Sequence, residues 1–195
     1  MDLFSYLLGK KAGSGGGGTT GLDWTLVGYE TEPESIKEAY DYAKEIYDNW
    51  EPSEDLRSKF LNDTNLIYAP LVDTSIATST QSMFFGCTNL IEVPLINTGN
   101  STTMKTMFNG CSNLTTIPSF DASKVTNFES MFLNCPKLSD ESLNNILEMC
   151  IGAIAFSGSK TLTSLSISNS YYSAERIQAL SNYQDFIDAG WTIGY

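Results

Sequence analysis

Apolar and polar positions between residues 64 and 135 recur at a fixed interval of 24. Three segments align: TNLIYAPLVDTSIATSTQSMFFGC from Thr64, TNLIEVPLINTGNSTTMKTMFNGC from Thr88 and SNLTTIPSFDASKVTNFESMFLNC from Ser112. Leu66, Leu90 and Leu114 form one column, continued by Leu138. Pro70, Pro94 and Pro118 form a second, and Met83, Met107 and Met131 a third. Phe84, Phe108 and Phe132 coincide, with Phe60 one period earlier, as do Cys87, Cys111 and Cys135. Self-similarity at such a period marks a stacked repeat architecture. Each unit opens with Leu-x-x-(Ala/Val/Ile)-Pro, which predicts a short strand with two inward residues. A Ser/Thr/Asn-rich turn follows. Val125, Phe128, Met131, Phe132 and Cys135 then have helical spacing. Neither element buries its apolar face alone, so units must stack, at about 4.8 Å for paired strands. The expectation is an α/β solenoid of 24-residue strand–turn–short helix repeats with an internal phenylalanine spine.

The flanks carry other periods. Ile36, Ala39, Tyr40, Ala43, Ile46, Tyr47 and Trp50 predict an amphipathic helix with an acidic outer face, with Pro33 near its start and Glu51-Pro52-Ser53 at its end. Asp23 to Tyr29 predicts a strand built on Trp24, Leu26 and Val27. Ser139-Asp140-Glu141 caps a helix that turns Leu143, Ile146, Leu147, Cys150 and Ile151 inward. Thr161 to Ile167 alternates like a strand. A further helix is expected from Ser173 through Ile177 and Leu180, with Phe186 and Ile187 beyond. The ending Trp191-Thr192-Ile193-Gly194-Tyr195 echoes Trp24-Thr25-Leu26-Val27-Gly28-Tyr29, and both are expected as edge strands of caps. The organisation is then an anchor peptide (1–11), a Gly-rich linker (12–20), an N-terminal cap (21–63), three repeats (64–135), and a degenerate repeat with a C-terminal cap (136–195). Gly13, Gly15 and Gly18 match a dinucleotide-binding spacing in form only, because no strand precedes them and no βαβ unit follows.

The Leu-x-x-Ile-Pro opening and the Met-Phe-x-Gly-Cys-x-Asn-Leu junction, at Met83 to Leu90 and Met107 to Leu114, resemble BspA-like leucine-rich-repeat proteins. That resemblance implies a leucine-rich-repeat solenoid and a surface or adhesion role in bacteria and phages. The pattern decays at Asn134 and Pro136. The apolar start, Leu3, Phe4, Tyr6, Leu7 and Leu8, resembles the N-termini of some structural proteins encoded in phages and prophages of gut bacteria. It implies a docking peptide through which residues 1–11 hold other virion or surface proteins.

Composition narrows the chemistry. The chain has 195 residues, no histidine and a net charge of −12. Without histidine there is no Ser-His-Asp triad, no Cys-His pair and no imidazole base. The acidic balance offers no general footprint for nucleic acid, and no apolar run reaches the ~20 residues of a membrane span. Charge is uneven: +1 over residues 1–18, −8 over 19–63 and −5 over 64–195. The acidity therefore belongs chiefly to the N-terminal cap. The first residues lack the order of a secretory signal. Three of the four cysteines follow the fold period instead of the two-to-four-residue spacing of metal ligands, which predicts a buried thiol ladder of Cys87, Cys111 and Cys135. Asp73 and Asp121, with Asn97 between them, recur at turn positions, so no aligned catalytic pair is expected, and no metal or cofactor.

The remaining surface is the row of side chains between the inward residues: Ile67 and Tyr68, Ile91 and Glu92, Thr115 and Thr116. It is the expected binding face for a host-surface glycan or protein. The expected function is non-enzymatic recognition on a virion or surface-exposed assembly. The alternatives are a bacterial cell-surface adhesin and, last, a carboxylate-dependent glycan-acting enzyme.

Overall fold

The computed structural model describes residues 34–167 and 170–194. The anchor peptide with Leu3, Phe4, Tyr6, Leu7 and Leu8, the linker and the strand expected at residues 23–29 lie outside the described residues. Helix α1 spans Glu34–Asp48, α2 Asp140–Gly152, α3 Ala174–Gln178 and α4 Tyr183–Asp188; a 3-10 turn covers Leu162–Leu165.

Between α1 and α2 the chain lays down rows that hydrogen-bond to the next row at 23- to 25-residue offsets. On one side Ile91 N donates to Ile67 O (2.8 Å) and Thr115 N to Ile91 O (2.9 Å). On the opposite side Phe84 N donates to Met107 O (2.9 Å) and Phe108 N to Met131 O (3.0 Å). Inward residues fill the interior: Leu66, Leu90, Leu114 and the Met and Phe columns are buried. The rings of Phe60, Phe84, Phe108 and Phe132 stack at 5.3, 5.5 and 5.6 Å, and Trp50 extends the pile by 6.1 Å at its N-terminal end.

The expected α/β leucine-rich-repeat solenoid is not what the chain forms. Among the described residues there is no strand and no sheet. The rows meet in isolated parallel bridges, such as Tyr68 with Glu92 and Glu92 with Thr116. The prolines explain the missing strands. Pro70 and Pro94 follow the second inward residue, carry no N–H to extend a ladder, and their carbonyls accept from Val72 and Ile96 two residues on (3.1 and 2.8 Å). That reversal ends the extended run. The repeats hold no helix either, including the stretch from Val125 to Cys135. Ser58, Ser82, Thr106 and Ser130 have φ between 53° and 56°, and Asn62, Gly86, Gly110 and Asn134 between 58° and 81°. Two left-handed residues four apart break a right-handed helix into turns.

Helices close one side of the pile. α2 stands where the next row would run. Its Ser142 hydroxyl donates to Thr115 O (2.8 Å) and accepts from Ile117 N (3.0 Å), and Asn145 Nδ2 donates to Ile117 O (2.8 Å). The last row's exposed peptide groups are thereby paired. Ser139 caps α2 as expected, accepting from Ser142 N. On the phenylalanine side, Leu165 O accepts from Phe132 N (2.9 Å). The strand expected at 161–167 is that 3-10 turn, preceded by a single bridge from Thr161 to Thr192. The C-terminal edge strand reduces to the same bridge. Trp191 beside it is buried against Phe156 and Phe186. The single helix expected from Ser173 breaks into α3 and α4. The hydroxyl of Tyr172 ties this cap to the last row by donating to Cys135 O and accepting from Leu138 N.

Candidate functional site

The row geometry makes two kinds of position chemically distinct. Inside, the thiols of Cys87, Cys111 and Cys135 donate to the carbonyls of Phe60, Phe84 and Phe108 at 2.9 to 3.0 Å. Each thiol closes a bond 27 residues back, one row earlier. Burial pushes the Cys87 and Cys135 thiols up to about 12, and those of Cys111 and Cys150 further up. All four are free and buried. Protonated sulfur with no access is neither nucleophile nor metal ligand.

Outside, the six residues expected to form the face lie in two parallel columns. Ile67, Ile91 and Thr115 form one; Tyr68, Glu92 and Thr116 form the other, linked by the parallel bridges. All six are half-buried. The structure brings the first column together with a third that sequence reasoning missed. Ile67, Ile91 and Thr115 line a groove of about 450 Å³ with Asn89, Asn113 and Lys137. Asn89 and Asn113 each anchor their amide nitrogen on the previous row, donating to Thr64 O and Thr88 O at 2.9 Å. Lys137 Nζ donates to Asn113 Oδ1 (2.6 Å). This column was visible in principle, because the residue before each Leu is Asn65, Asn89, Asn113 and Lys137, again at the 24-residue period.

Tyr68, Glu92 and Thr116 stand outside this groove. Glu92 makes no ion pair among the described residues. Burial raises its carboxyl above the usual range, and the nearby Glu141 adds to the rise. Burial also raises the Tyr68 phenol, with Glu92 contributing. The remaining carboxylates of note serve turns. Asp73 Oδ1 accepts from Ser75 N and Asp121 Oδ1 from Ser123 N (both 2.9 Å), and Asn97 Oδ1 accepts from Gly99 N (3.1 Å). Hydrogen bonds from Ser75 and Ser123 hold the Asp73 and Asp121 carboxyls below their usual range. No group of three His, Cys, Asp or Glu residues among the described residues is arranged to hold a metal. No described helix is long and apolar enough to cross a membrane.

These features define a protein of stacked 24-residue turn rows with a helix-closed edge and a groove, with one largely apolar and one polar wall, running across the rows. Residues 38–164 match the family model described as "Mycoplasma protein of unknown function, DUF285", and the chain belongs to that family. No curated protein matches the chain, and no solved structure does.

Proposed function

We propose that the chain is a non-enzymatic recognition module that binds a host-surface glycan or protein loop along the groove between Ile67, Ile91 and Thr115 and Asn89, Asn113 and Lys137. The observation that carries this reading is the repetition of the groove itself. Both walls are built from columns at one period, so equivalent side chains are presented at successive rows. A largely apolar wall facing a few fixed polar groups is what small-ligand clefts provide. The amides of Asn89 and Asn113 are pre-oriented by their bonds to the previous row, which lowers the ordering cost of binding. The buried thiols and turn-bound carboxylates favour recognition over catalysis.

The junction motif and the apolar start favour display on a virion or other surface assembly, in the manner of BspA-like proteins, with residues 1–11 as the attachment. A bacterial cell-surface adhesin is the second reading; recovery from cell envelopes with no particles present supports it. Removing residues 1–20 should leave folding intact and abolish incorporation into particles. Particles that keep the truncated protein contradict the anchoring role. For the groove, the full chain is passed over a glycan array and a panel of bacterial surface proteins, then compared with Ile91→Glu. A retained ligand lost on Ile91→Glu, with unchanged thermal unfolding, supports the groove. Retention indifferent to that change, or turnover of a retained glycan, overturns it.

A further inference from the structure

A second concave site lies where α1 meets the first rows. Tyr47, Trp50, Pro52, Leu71, Val72 and Asp73 line a pocket of about 390 Å³. Tyr47 is 50% exposed. Trp50 is fixed from two directions: its indole N–H donates to Asp73 O (2.8 Å), and Phe60 stacks on it at 6.1 Å. Lys59 Nζ sits 5.0 Å from the centre of the Trp50 ring, so this ring already attracts a cation of the chain itself.

Apart from Lys59 on the Trp50 ring, the charges on the pocket lining and on residues 48–55 are acidic. Asp73 spends Oδ1 on the Ser75 N–H and forms no ion pair among the described residues. The last turn of α1 holds no basic residue, so its negative dipole end is unbalanced there. Glu51 and Glu54 follow in the chain, within the segment that carries −8. A pyranose fits poorly, because its ring of hydroxyls would meet mostly apolar walls with one carboxylate and one phenol to satisfy them. A charged head on an apolar stem fits both parts.

We propose that this pocket binds the protonated amine or guanidinium side chain of a basic peptide, its head against the Asp73 carboxylate and its stem against Tyr47 and Trp50. The site is separate from the repeat groove and does not depend on the reading of that groove. Asp73→Asn is a clean test. Asn97 already holds the equivalent turn in the next row, accepting from Gly99 N at 3.1 Å, so the substitution removes charge and keeps the turn.

Isothermal titration of the full chain with acetyl-Gly-Arg-Gly-amide and acetyl-Gly-Lys-Gly-amide should show saturable binding that weakens as salt rises. Asp73→Asn and Tyr47→Ala should each weaken it by about tenfold or more, with unfolding unchanged in Asp73→Asn. Ile91→Glu, in the repeat groove, should leave it unaltered. Absence of binding, equal affinity in Asp73→Asn, loss in Ile91→Glu, or preference for acetyl-Gly-Gln-Gly-amide or methyl glucoside overturns the proposal.

Discussion

The phenylalanine pile is the structural element whose loss should be felt most, and Phe108→Ala measures it. Phe108 has no exposed surface and touches three rings: Phe84 at 5.5 Å, Phe132 at 5.6 Å and Phe120 at 5.9 Å. Replacing a buried Phe by Ala costs about 3–5 kcal/mol. Ring pairs add about 0.5–1.5 kcal/mol each beyond area burial, and three of them place Phe108 at the upper end. The carbonyl that Cys135 Sγ uses belongs to the Phe108 backbone and survives the change, so the loss reports on the ring. Phe60→Ala is the internal comparison. Phe60 is 6% exposed and stacks on two rings, Trp50 and Phe84, so about 3 kcal/mol is expected. With a urea slope of about 2 kcal/mol/M, Phe108→Ala should lower the midpoint by about 2 M. A shift corresponding to less than about 1 kcal/mol, or one smaller than that of Phe60→Ala, refutes the stacked interior.

Three further outcomes follow from the same geometry. Ser142→Ala strands a buried Ile117 N–H and removes the donor to Thr115 O, and should cost about 1–3 kcal/mol in urea unfolding; a neutral result would mean that α2 does not close the edge. Cys111 should resist a thiol reagent under native conditions and react on unfolding, since burial keeps the thiol protonated; fast native labelling contradicts the ladder. Glu92 has a raised carboxyl pKa, so the folded state holds its proton more tightly than the unfolded chain does. Its contribution is fully present below the ordinary glutamate pKa of ~4.3 and is lost as pH rises through the folded value. Glu92→Gln should therefore gain stability over wild type at neutral pH, with the gain fading on acidification; a constant difference across that range contradicts the shift.

Much of this was legible in the residues. The 24-residue period placed Leu66, Phe108 and Cys111 inside, and helical spacing marked α1 and α2, the second with its Ser139 cap. The local conformation of the rows was not legible. Leu-x-x-Ala-Pro has strand composition, but the proline that completes the motif also ends the extended run. Val125 to Cys135 has helical spacing, but Ser130 and Asn134 adopt left-handed φ, and serine at such a position gives no composition signal of the kind glycine gives. Periodicity reports which side chains share an environment; here turns, and not strands and helices, meet that period. The groove wall was missed for a related reason. Asn89 and Asn113 stood out only as part of the junction motif, and only the structure shows their amides bonded to the previous row beside Ile67 and Ile91.

The central claim is that successive 24-residue rows stack in register and so assemble the groove. Nitroxide labels on Thr78→Cys and Thr126→Cys test it directly, because both positions are exposed, they lie two rows apart, and the native thiols are buried. Stacked rows put the two backbones about 10 Å apart, which predicts strong dipolar broadening of the continuous-wave spectrum relative to the single-label controls. An unbroadened spectrum, identical to the sum of the two controls, would contradict the stacking.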